Sequence, residues 1–212
     1  MLEDALIVVG GYLIGSIPFG VVLVKVFRGE DIRRQGSGNI GASNVWRTYG
    51  RGLGVPVALL DVAKGFAPAL VGVLLGGELV GVLAGAAAML GHARPVWLGF
   101  RKGGKMVATG GGVLFGLAPK AAAIGAGLWL LVALVTRYAS VASLTVAVLM
   151  PVLEVLTGRP WEVVAFTIVL AVAIFVLHRE NIRRLMNGTE HRLSFRRGSA
   201  SSRAGPSSGP AA

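Results

Sequence analysis

The chain contains no cysteine, so disulfide bonds and thiolate metal sites are excluded, and the redox state of its surroundings cannot be read. Charged residues are also scarce: they make up 15% of the 212 residues, whereas soluble domains carry about 25%. Acidic side chains are the scarcer sign, with 10 Asp and Glu against 21 Lys and Arg, which gives a net charge of +11. Apolar residues reach 54%, with a mean hydropathy of +0.70. This composition predicts a membrane protein.

Apolar runs long enough to span a bilayer recur along the chain. A bilayer core needs about 20 mostly apolar residues per helix. The first run follows acidic Glu3 and Asp4 and has no basic segment before it, so a cleaved signal peptide is not expected. We predict an all-α, polytopic fold with about seven transmembrane segments, at 5–27, 53–76, 79–98, 106–118, 121–136, 140–156 and 161–177. The fourth segment is short and glycine-rich, and either spans fully or forms a half-helix at the edge of a cavity.

The distribution of cations predicts the orientation. If the N-terminus lies outside, most Lys and Arg residues fall on inner segments, and the outer turns carry only Lys120 and Arg159. Cytoplasmic loops are enriched in Lys and Arg, so the N-terminus is predicted outside and the C-terminus in the cytoplasm. Nucleic acid is not an expected partner, because the cations lie between spans and not on a soluble domain. The lipid bilayer is the expected surrounding.

The domain organisation follows from the same runs. A single transmembrane domain is predicted over residues 1–197. The remaining segment, GSASSRAGPSSGPAA at 198–212, is small, polar and rich in Pro and Gly. That composition cannot bury a core and predicts a disordered tail.

Two glycine-rich windows match nucleotide-binding motifs but lack the required context. GSGNIG, at 36–41, reads G-x-G-x-x-G, yet it follows a membrane span and a charged stretch and not a strand. GFRKGGKM, at 99–106, approaches a P-loop, but Met106 replaces the Ser or Thr that would hold magnesium. Glycines still let backbone N–H groups approach an anion, and a helix N-terminus adds partial positive charge. Both loops are therefore predicted to bind phosphate without a nucleotide fold.

Three polar loops are predicted to share the inner face. The first, GSGNIGASNVWR, offers a hydroxyl, two amides and a cation among glycines. The second, GHARPVWLGFRKGGK, offers a histidine, several cations and a Gly-Gly pair. A basic loop beside a membrane can be an orientation signal alone, and glycines at span ends can serve close packing. Small hydrogen-bonding residues beside the cations favour a shared site instead.

The third loop, HRENIRRLMNGTE, adds a histidine and an amide. His178 and Asn181 are three residues apart and therefore share one face of a helix. Glu180 is expected to pair with Arg183 or Arg184.

Asp61 and Lys64, in DVAKG, are ionisable residues inside the second predicted span. Such residues are costly in a membrane and are usually paired or functional. At a spacing of three they can pair with each other, so a structural ion pair is the simpler interpretation.

The loops SGNIGASNVWR, GHARPVWLGFRKGGKMVAT and HRENIRRLMNGTE resemble the three signature motifs of the bacterial acyl-phosphate:glycerol-3-phosphate acyltransferases, the PlsY family. The resemblance extends from Leu2 to about Glu190, and DVAKG is similar too. One departure is Met106, which stands where the family usually has Gly after GGK.

The resemblance implies an integral enzyme of the bacterial inner (plasma) membrane with its active site facing the cytoplasm. Such an enzyme transfers a fatty acyl group from acyl phosphate to the 1-hydroxyl of sn-glycerol 3-phosphate. The products are lysophosphatidate and inorganic phosphate, and the reaction belongs to phospholipid biosynthesis. No cofactor and no metal are expected.

The resemblance also implies site residues by their position in the motifs. The expected catalytic set is Ser37, Arg47, Lys105, His178 and Asn181. Residues expected to bind substrate are Gly38, Asn39, Gly41, Asn44, His92, Lys102, Gly103, Gly104, Thr109 and Glu190. The Gly-Gly backbone is expected to grip glycerol 3-phosphate. His178 is either a general base or an orienting group.

An organic-phosphate transporter or exchanger is the alternative. A protein of that class is expected to show repeated spans and a binding site near the bilayer midplane. The three motifs are unlike one another and lie on one predicted face, which favours the acyltransferase.

Overall fold

The structure is a computed structural model that describes residues 1–193, so the domain boundary predicted at 197 and the tail predicted at 198–212 lie outside the described residues. The regular elements over this range are helical, which confirms the predicted all-α fold. The α-helices are α1 (Leu2–Gly15), α2 (Phe19–Arg28), α3 (Ala42–Tyr49), α4 (Arg51–Ala93), α5 (Val107–Leu117), α6 (Pro119–Thr136), α7 (Ala139–Leu156), α8 (Trp161–Leu177) and α9 (Arg179–Met186). Short 3-10 turns occupy Ile32–Arg34 and Val96–Leu98.

Several helical stretches are long and apolar enough to cross a membrane. Four qualify outright, and the α8–α9 pair, bent by 57°, makes a fifth if it counts as one broken span. The four are Leu2–Arg28, Arg51–Leu98, Pro119–Thr136 and Ala139–Leu156. The predicted count of about seven is higher because it divides 51–98 into two spans and counts α5 as another.

Helix α4 is interrupted at Gly77, whose φ of 83° lies in the left-handed region that favours glycine. Nine residues of straight helix would separate Gly72 from Gly81 by about 13 Å. In the structure a Cβ added to Gly72 would lie only 2.6 Å from the Cα of Gly81. The chain therefore reverses, and 51–76 and 78–93 form the two arms of a helical hairpin.

Helix α5 is too short to cross a bilayer alone. Its 11 residues rise about 16 Å, against a hydrocarbon core of about 30 Å. It lies very close to the first arm of α4, since a Cβ on Gly112 would meet the Val62 carbonyl oxygen at 1.9 Å. The structure thus favours the half-helix alternative for 106–118. This placement brings the loop before α5 to one end of the bundle.

The expected ion pair inside the bundle is present. Lys64 Nζ lies 2.8 Å from Asp61 Oδ1, and both side chains are almost fully buried. The same ammonium donates a hydrogen bond to the Ile17 carbonyl at 2.8 Å, just before Pro18 separates α1 from α2. The pair therefore ties α4 to the point where Pro18 interrupts the first span.

Candidate active site

The three polar loops meet at one end of the bundle, as predicted. A cavity of about 340 Å³ opens among them and continues between α5, α6, α7 and α8. Polar side chains line its loop end, and include Ser37, Asn39, Asn44, Arg47, Lys105, His178, Asn181 and Glu190. The rest of the lining is mainly apolar. One end of this cavity can therefore hold a charged group and the other a hydrocarbon chain.

A second, small polar cavity of about 50 Å³ adjoins the first. Its lining consists of Ser37, Gly38, Asn39, Lys102, Gly103, Lys105, Glu180 and Arg184. Ser37, Asn39 and Lys105 line both cavities. Lys105 is thus placed between a polar compartment and the head of an apolar one.

Asn44 organises the first loop from within. Its Oδ1 accepts a hydrogen bond from the Ser37 amide at 3.0 Å, and its Nδ2 donates to the carbonyls of Gln35 and Asn39. Asn39 Oδ1 in turn accepts from the Gly41 amide at 2.8 Å. Both amide hydrogens of Asn44 donate to backbone carbonyls, so the side chain holds the loop in shape. It has no free donor left for a substrate, and its expected role in substrate binding is not supported.

Arg47 projects from α3 into the large cavity and is half-buried. Within residues 1–193 its guanidinium has no hydrogen-bond or ion-pair partner. Burial lowers the pKa of Arg47, against the attraction of nearby Glu190, yet an arginine stays charged at neutral pH. An unpaired, partly desolvated cation in a cavity is well suited to bind an anion.

The Gly103–Gly104 pair does not face the cavity with free amides. The Gly103 N–H donates to the Ala93 carbonyl at 2.9 Å, and the Gly104 N–H donates to the His92 carbonyl at 3.0 Å. These bonds satisfy carbonyls at the C-terminal end of α4. The expectation that the two amides grip glycerol 3-phosphate is therefore not met in this structure.

Gly104 has a packing role instead. A Cβ added there would lie 1.9 Å from His92 Nε2, so only glycine lets the loop rest on the buried imidazole. His92 lines the large cavity, and its Nδ1 lies 3.8 Å from Asp61 Oδ1. His92 is thus placed as a support beneath the loop that carries Lys105.

The start of α5 holds Met106, the departure from the family motif, and Thr109, a residue expected to bind substrate. Met106 has a φ of 64°, in the left-handed region, a conformation that suits the glycine that the resemblance implies at this position. Thr109 is fully buried, and its backbone lies against Gly65 of α4. It lines neither cavity that residues 1–193 form around the loops, so its expected role in substrate binding is not supported.

Glu190 is the centre of a buried hydrogen-bond network. Its Oε1 accepts from Asn181 Nδ2 at 2.6 Å and from Ser140 Oγ at 2.9 Å, and its Oε2 accepts from Arg184 Nε at 2.7 Å. Burial alone would raise the pKa of Glu190, but the hydrogen bonds from Asn181, Arg184 and Ser140 outweigh it and lower the pKa. A carboxylate so engaged repels phosphate and orients its neighbours. Glu190 is better described as a positioning residue than as a substrate ligand.

The network reaches Lys105 through Asn181. Asn181 Oδ1 accepts a hydrogen bond from Lys105 Nζ, so the Asn181 side chain is fixed between Glu190 and the ammonium. Burial, with repulsion from Arg184, lowers the pKa of Lys105 to about 8. The predicted pairing of Glu180 with Arg183 or Arg184 is wrong. Glu180 Oε1 lies 3.4 Å from Lys102 Nζ, at the rim of the small cavity.

His178 has a fixed ring orientation. The residue is buried at the corner between α8 and α9, and its Nδ1 lies 2.8 Å from the Ile174 carbonyl oxygen. A carbonyl only accepts, so Nδ1 carries the hydrogen and Nε2 of the neutral ring is left as an acceptor. That nitrogen is suited to accept a hydrogen bond from a hydroxyl.

The sequence reasoning missed Ser140 and Arg184. Ser140 lies in the first turn of α7, lines the large cavity and donates to Glu190. A serine at the start of a predicted span cannot be distinguished from a helix cap by sequence alone. Arg184 lies within the third motif, but its partner is six residues further along.

With glycerol 3-phosphate, the substrate that the resemblance implies, Gly104→Ala is expected to lower turnover and also raise the Michaelis constant, because the methyl group would displace His92 and with it the loop bearing Lys105. Overpacking of this kind costs about 1–3 kcal/mol. Steady-state kinetics in a double-mutant cycle with His92→Ala measures the coupling. A smaller effect of Gly104→Ala in the His92→Ala background supports the clash. Equal effects in both backgrounds would instead support direct contact between the glycine backbone and substrate.

Comparison with known proteins identifies similar chains over almost the whole length. A family model described as glycerol-3-phosphate acyltransferase matches residues 5–188. The glycerol-3-phosphate acyltransferase of Mesorhizobium japonicum is 48% identical over 188 residues, covering 89% of this chain and 95% of the relative. The enzyme of the same description from Desulforudis audaxviator is 45% identical over 193 residues, covering 91% and 97%.

Two solved structures are similar in fold and sequence. One is a crystal structure of PlsY (YgiH), an integral membrane glycerol 3-phosphate acyltransferase, in its glycerol 3-phosphate form. It has a TM-score of 0.86 and 43% identity, and the match covers 91% of this chain and 96% of that one. The other is the lysophosphatidic acid form, with a TM-score of 0.83, 42% identity, and coverage of 90% and 95%.

Proposed function

The chain belongs to the glycerol-3-phosphate acyltransferase family, and on that premise we propose how its residues carry out the reaction. The protein is a multi-pass membrane acyltransferase of phospholipid biosynthesis. It transfers a fatty acyl group from acyl phosphate to the 1-hydroxyl of sn-glycerol 3-phosphate, forming lysophosphatidate and inorganic phosphate.

The observation that carries this function is the junction of the two cavities at Lys105 and Ser37. The small polar cavity suits a water-soluble phosphate ester, and the large cavity suits a phosphate head with an apolar tail. A transporter of organic phosphates would have no use for a long apolar compartment opening from the phosphate site. The two substrates are assigned accordingly: glycerol 3-phosphate to the small cavity and acyl phosphate to the large one.

The cations stabilise charge on phosphate. Arg47 and Lys105 neutralise the phosphate of the donor, and charge stabilisation of this kind lowers the barrier most where charge develops in the transition state. Ser37 and Asn181 supply hydrogen bonds that orient this phosphate or the developing oxyanion. Lys102, at the rim of the small cavity, attracts the phosphate of glycerol 3-phosphate.

The chemical step is a displacement at the acyl carbon. The 1-hydroxyl oxygen of glycerol 3-phosphate forms a bond to the acyl carbonyl carbon, and the bond from that carbon to the phosphate oxygen breaks. The phosphate leaves with the electron pair and accepts the hydroxyl proton. His178 Nε2 accepts a hydrogen bond from the hydroxyl and orients it, which is the role we assign to this residue.

The reaction is expected to slow above pH 8. The pKa of Lys105 is about 8, so its charge is present below that pH and is lost as pH rises through it. Since kcat/KM reports groups of the free enzyme, its pH profile should fall above about 8. Lys105→Arg keeps the charge and should move this alkaline limb to higher pH. An alkaline limb at the same pH in both proteins would show that another group titrates.

The orientation proposed is an N-terminus outside and an active site facing the cytoplasm of the bacterial inner membrane. In this topology α4 counts as two spans, and α5, although short, takes the chain from the loop end to the opposite end of the bundle, where α6 begins. Its support is the gathering of cations at the site end of the bundle. Since the chain lacks cysteine, Lys120→Cys and Arg179→Cys each introduce a single label site on an exposed residue. In intact cells an impermeant maleimide should label the first and spare the second. The reverse pattern would invert the proposed orientation.

A further inference from the structure

The large cavity ends at a defined depth. Along α7, ten residues separate Ser140, at the loop end, from Met150, a rise of about 15 Å at about 1.5 Å per residue. Along α8, eleven residues separate His178 from Thr167, a rise of about 16 Å. The two helices give the same depth, so Met150 and Thr167 mark the far end of the cavity on the α7 and α8 walls, and the lining on α6 reaches Ala122.

The wall between the two ends is mainly apolar, with Ser143 of α7 as a polar member. Its side chains come from four helices, and include Leu114, Phe115, Val146, Ala147, Leu170 and Ala171. Gly125 of α6 also lines the cavity at this depth, next to Met150. A Cβ added to Gly125 would lie 2.5 Å from Met150 Sδ. Met150 thus packs on the backbone of Gly125, and an added side chain there would displace the thioether at the far end of the cavity, which both residues line.

Beyond this point the interior becomes polar. Glu154 lies one turn after Met150 on α7 and is fully buried. Thr167 Oγ1 donates a hydrogen bond to Glu154 Oε1 at 2.7 Å. A hydrocarbon chain cannot extend past this pair without separating two buried polar groups, which is unfavourable. The far end is therefore closed by this buried hydrogen bond as well as by the packing of Met150 on Gly125.

We propose that Gly125, Met150 and Thr167 form the stop that sets the acyl-chain length this enzyme prefers. The inference rests on the proposed function, since it places the acyl chain of the donor in the large cavity. The terminal methyl group of the preferred chain lies against Met150 and Thr167. A longer chain must displace Met150 or bend, and a shorter one leaves the end of the cavity unfilled.

Chain-length selectivity tests the stop. Values of kcat/KM are measured for lauroyl, myristoyl, palmitoyl and stearoyl phosphate with saturating glycerol 3-phosphate. Gly125→Ala should shift the preference toward shorter chains, because Met150 moves into the cavity. Neighbouring chains in this series differ by two methylenes, and one methylene in an apolar pocket changes kcat/KM by about tenfold or more, so the ratio between neighbouring chain lengths should change by at least about tenfold.

Two further variants sharpen the result. Met150→Ala enlarges the far end and should shift the preference toward longer chains. Gly127→Ala is the matched control, because it lies on the same helix, is exposed and has open space around an added Cβ. It should leave the ratios unchanged.

The outcomes separate the stop from the function. Unchanged chain-length ratios in both Gly125→Ala and Met150→Ala, while wild type transfers acyl groups, would overturn the stop and leave the proposed function standing. Equal shifts in Gly127→Ala would also overturn it. Failure of wild type to transfer any of the four chains to glycerol 3-phosphate would overturn the proposed function and this inference together.

Discussion

Replacing Arg47 by alanine is expected to lower turnover by a hundredfold or more while the protein still inserts normally. The guanidinium is half-buried in the large cavity and, among the described residues, has no carboxylate partner to satisfy it. Its charge is therefore available to the donor phosphate and to the transition state. Electrostatic stabilisation by one such group is worth about 3–4 kcal/mol, which corresponds to about two to three orders of magnitude in rate.

Two control variants test whether the loss is specific to the charge and shape of Arg47. Arg51→Ala removes an exposed cation four residues away, in the first turn of α4, and should retain activity. Arg47→Lys keeps the charge but loses the planar, bidentate geometry, so partial activity is expected. Turnover of Arg47→Ala near the wild-type value, in steady-state assays on purified protein, would show that the assigned role is wrong.

Replacing Lys105 by methionine is expected to be equally damaging, and to act on turnover. The ammonium lies where the two cavities meet and is held by Asn181, which Glu190 fixes in turn. Methionine removes the charge and leaves Asn181 Oδ1 without its donor. We expect a loss of about a hundredfold or more in kcat, because the charge acts where the acyl–phosphate bond breaks.

Lys102 provides the matched control in the same loop. It is exposed, pairs with Glu180 at the rim of the small cavity, and makes no hydrogen bond to Asn181 or Glu190 among the described residues. Lys102→Met should raise the Michaelis constant for glycerol 3-phosphate more than it lowers kcat. If the two methionine variants lose kcat equally, the assignment of Lys105 to the chemical step and of Lys102 to substrate binding is wrong.

Much of the fold was predictable because hydrophobic length is a strong signal. Apolar runs located the spans to within a few residues, and the separate runs at 53–76 and 79–98 anticipated the hairpin at Gly77. The length of α5 was the ambiguous point. Its glycines could serve flexibility or close packing, and the contact of Gly112 with the Val62 carbonyl shows that they serve close packing. Its 11 residues make it shorter than a full span.

The site was predictable as a set of motifs but not residue by residue. Membership in a motif places a residue near the substrate without saying which way its polar atoms face. The backbone N–H groups of Gly103 and Gly104 donate to carbonyls at the end of α4. The Asn44 side chain donates to the backbone of its own loop, and Glu190 accepts hydrogen bonds from the donors around it. These assignments depend on partners that periodicity and composition do not encode, such as Gln35 for Asn44 and Ser140 for Glu190.

The most direct test of the central claim is the choice of acyl donor by the purified protein. Palmitoyl phosphate, palmitoyl-CoA and palmitoyl-carrier protein are supplied in turn at equal concentration with glycerol 3-phosphate, and both lysophosphatidate and inorganic phosphate are measured. The sequence lacks the His and Asp five residues apart that thioester-dependent glycerolipid acyltransferases typically carry, and the described loops present cations at a compact phosphate site. We expect equal amounts of lysophosphatidate and phosphate from palmitoyl phosphate, only when glycerol 3-phosphate is present, and poor transfer from both thioesters. Comparable lysophosphatidate formation from palmitoyl-CoA, or phosphate release that does not require glycerol 3-phosphate, would contradict it.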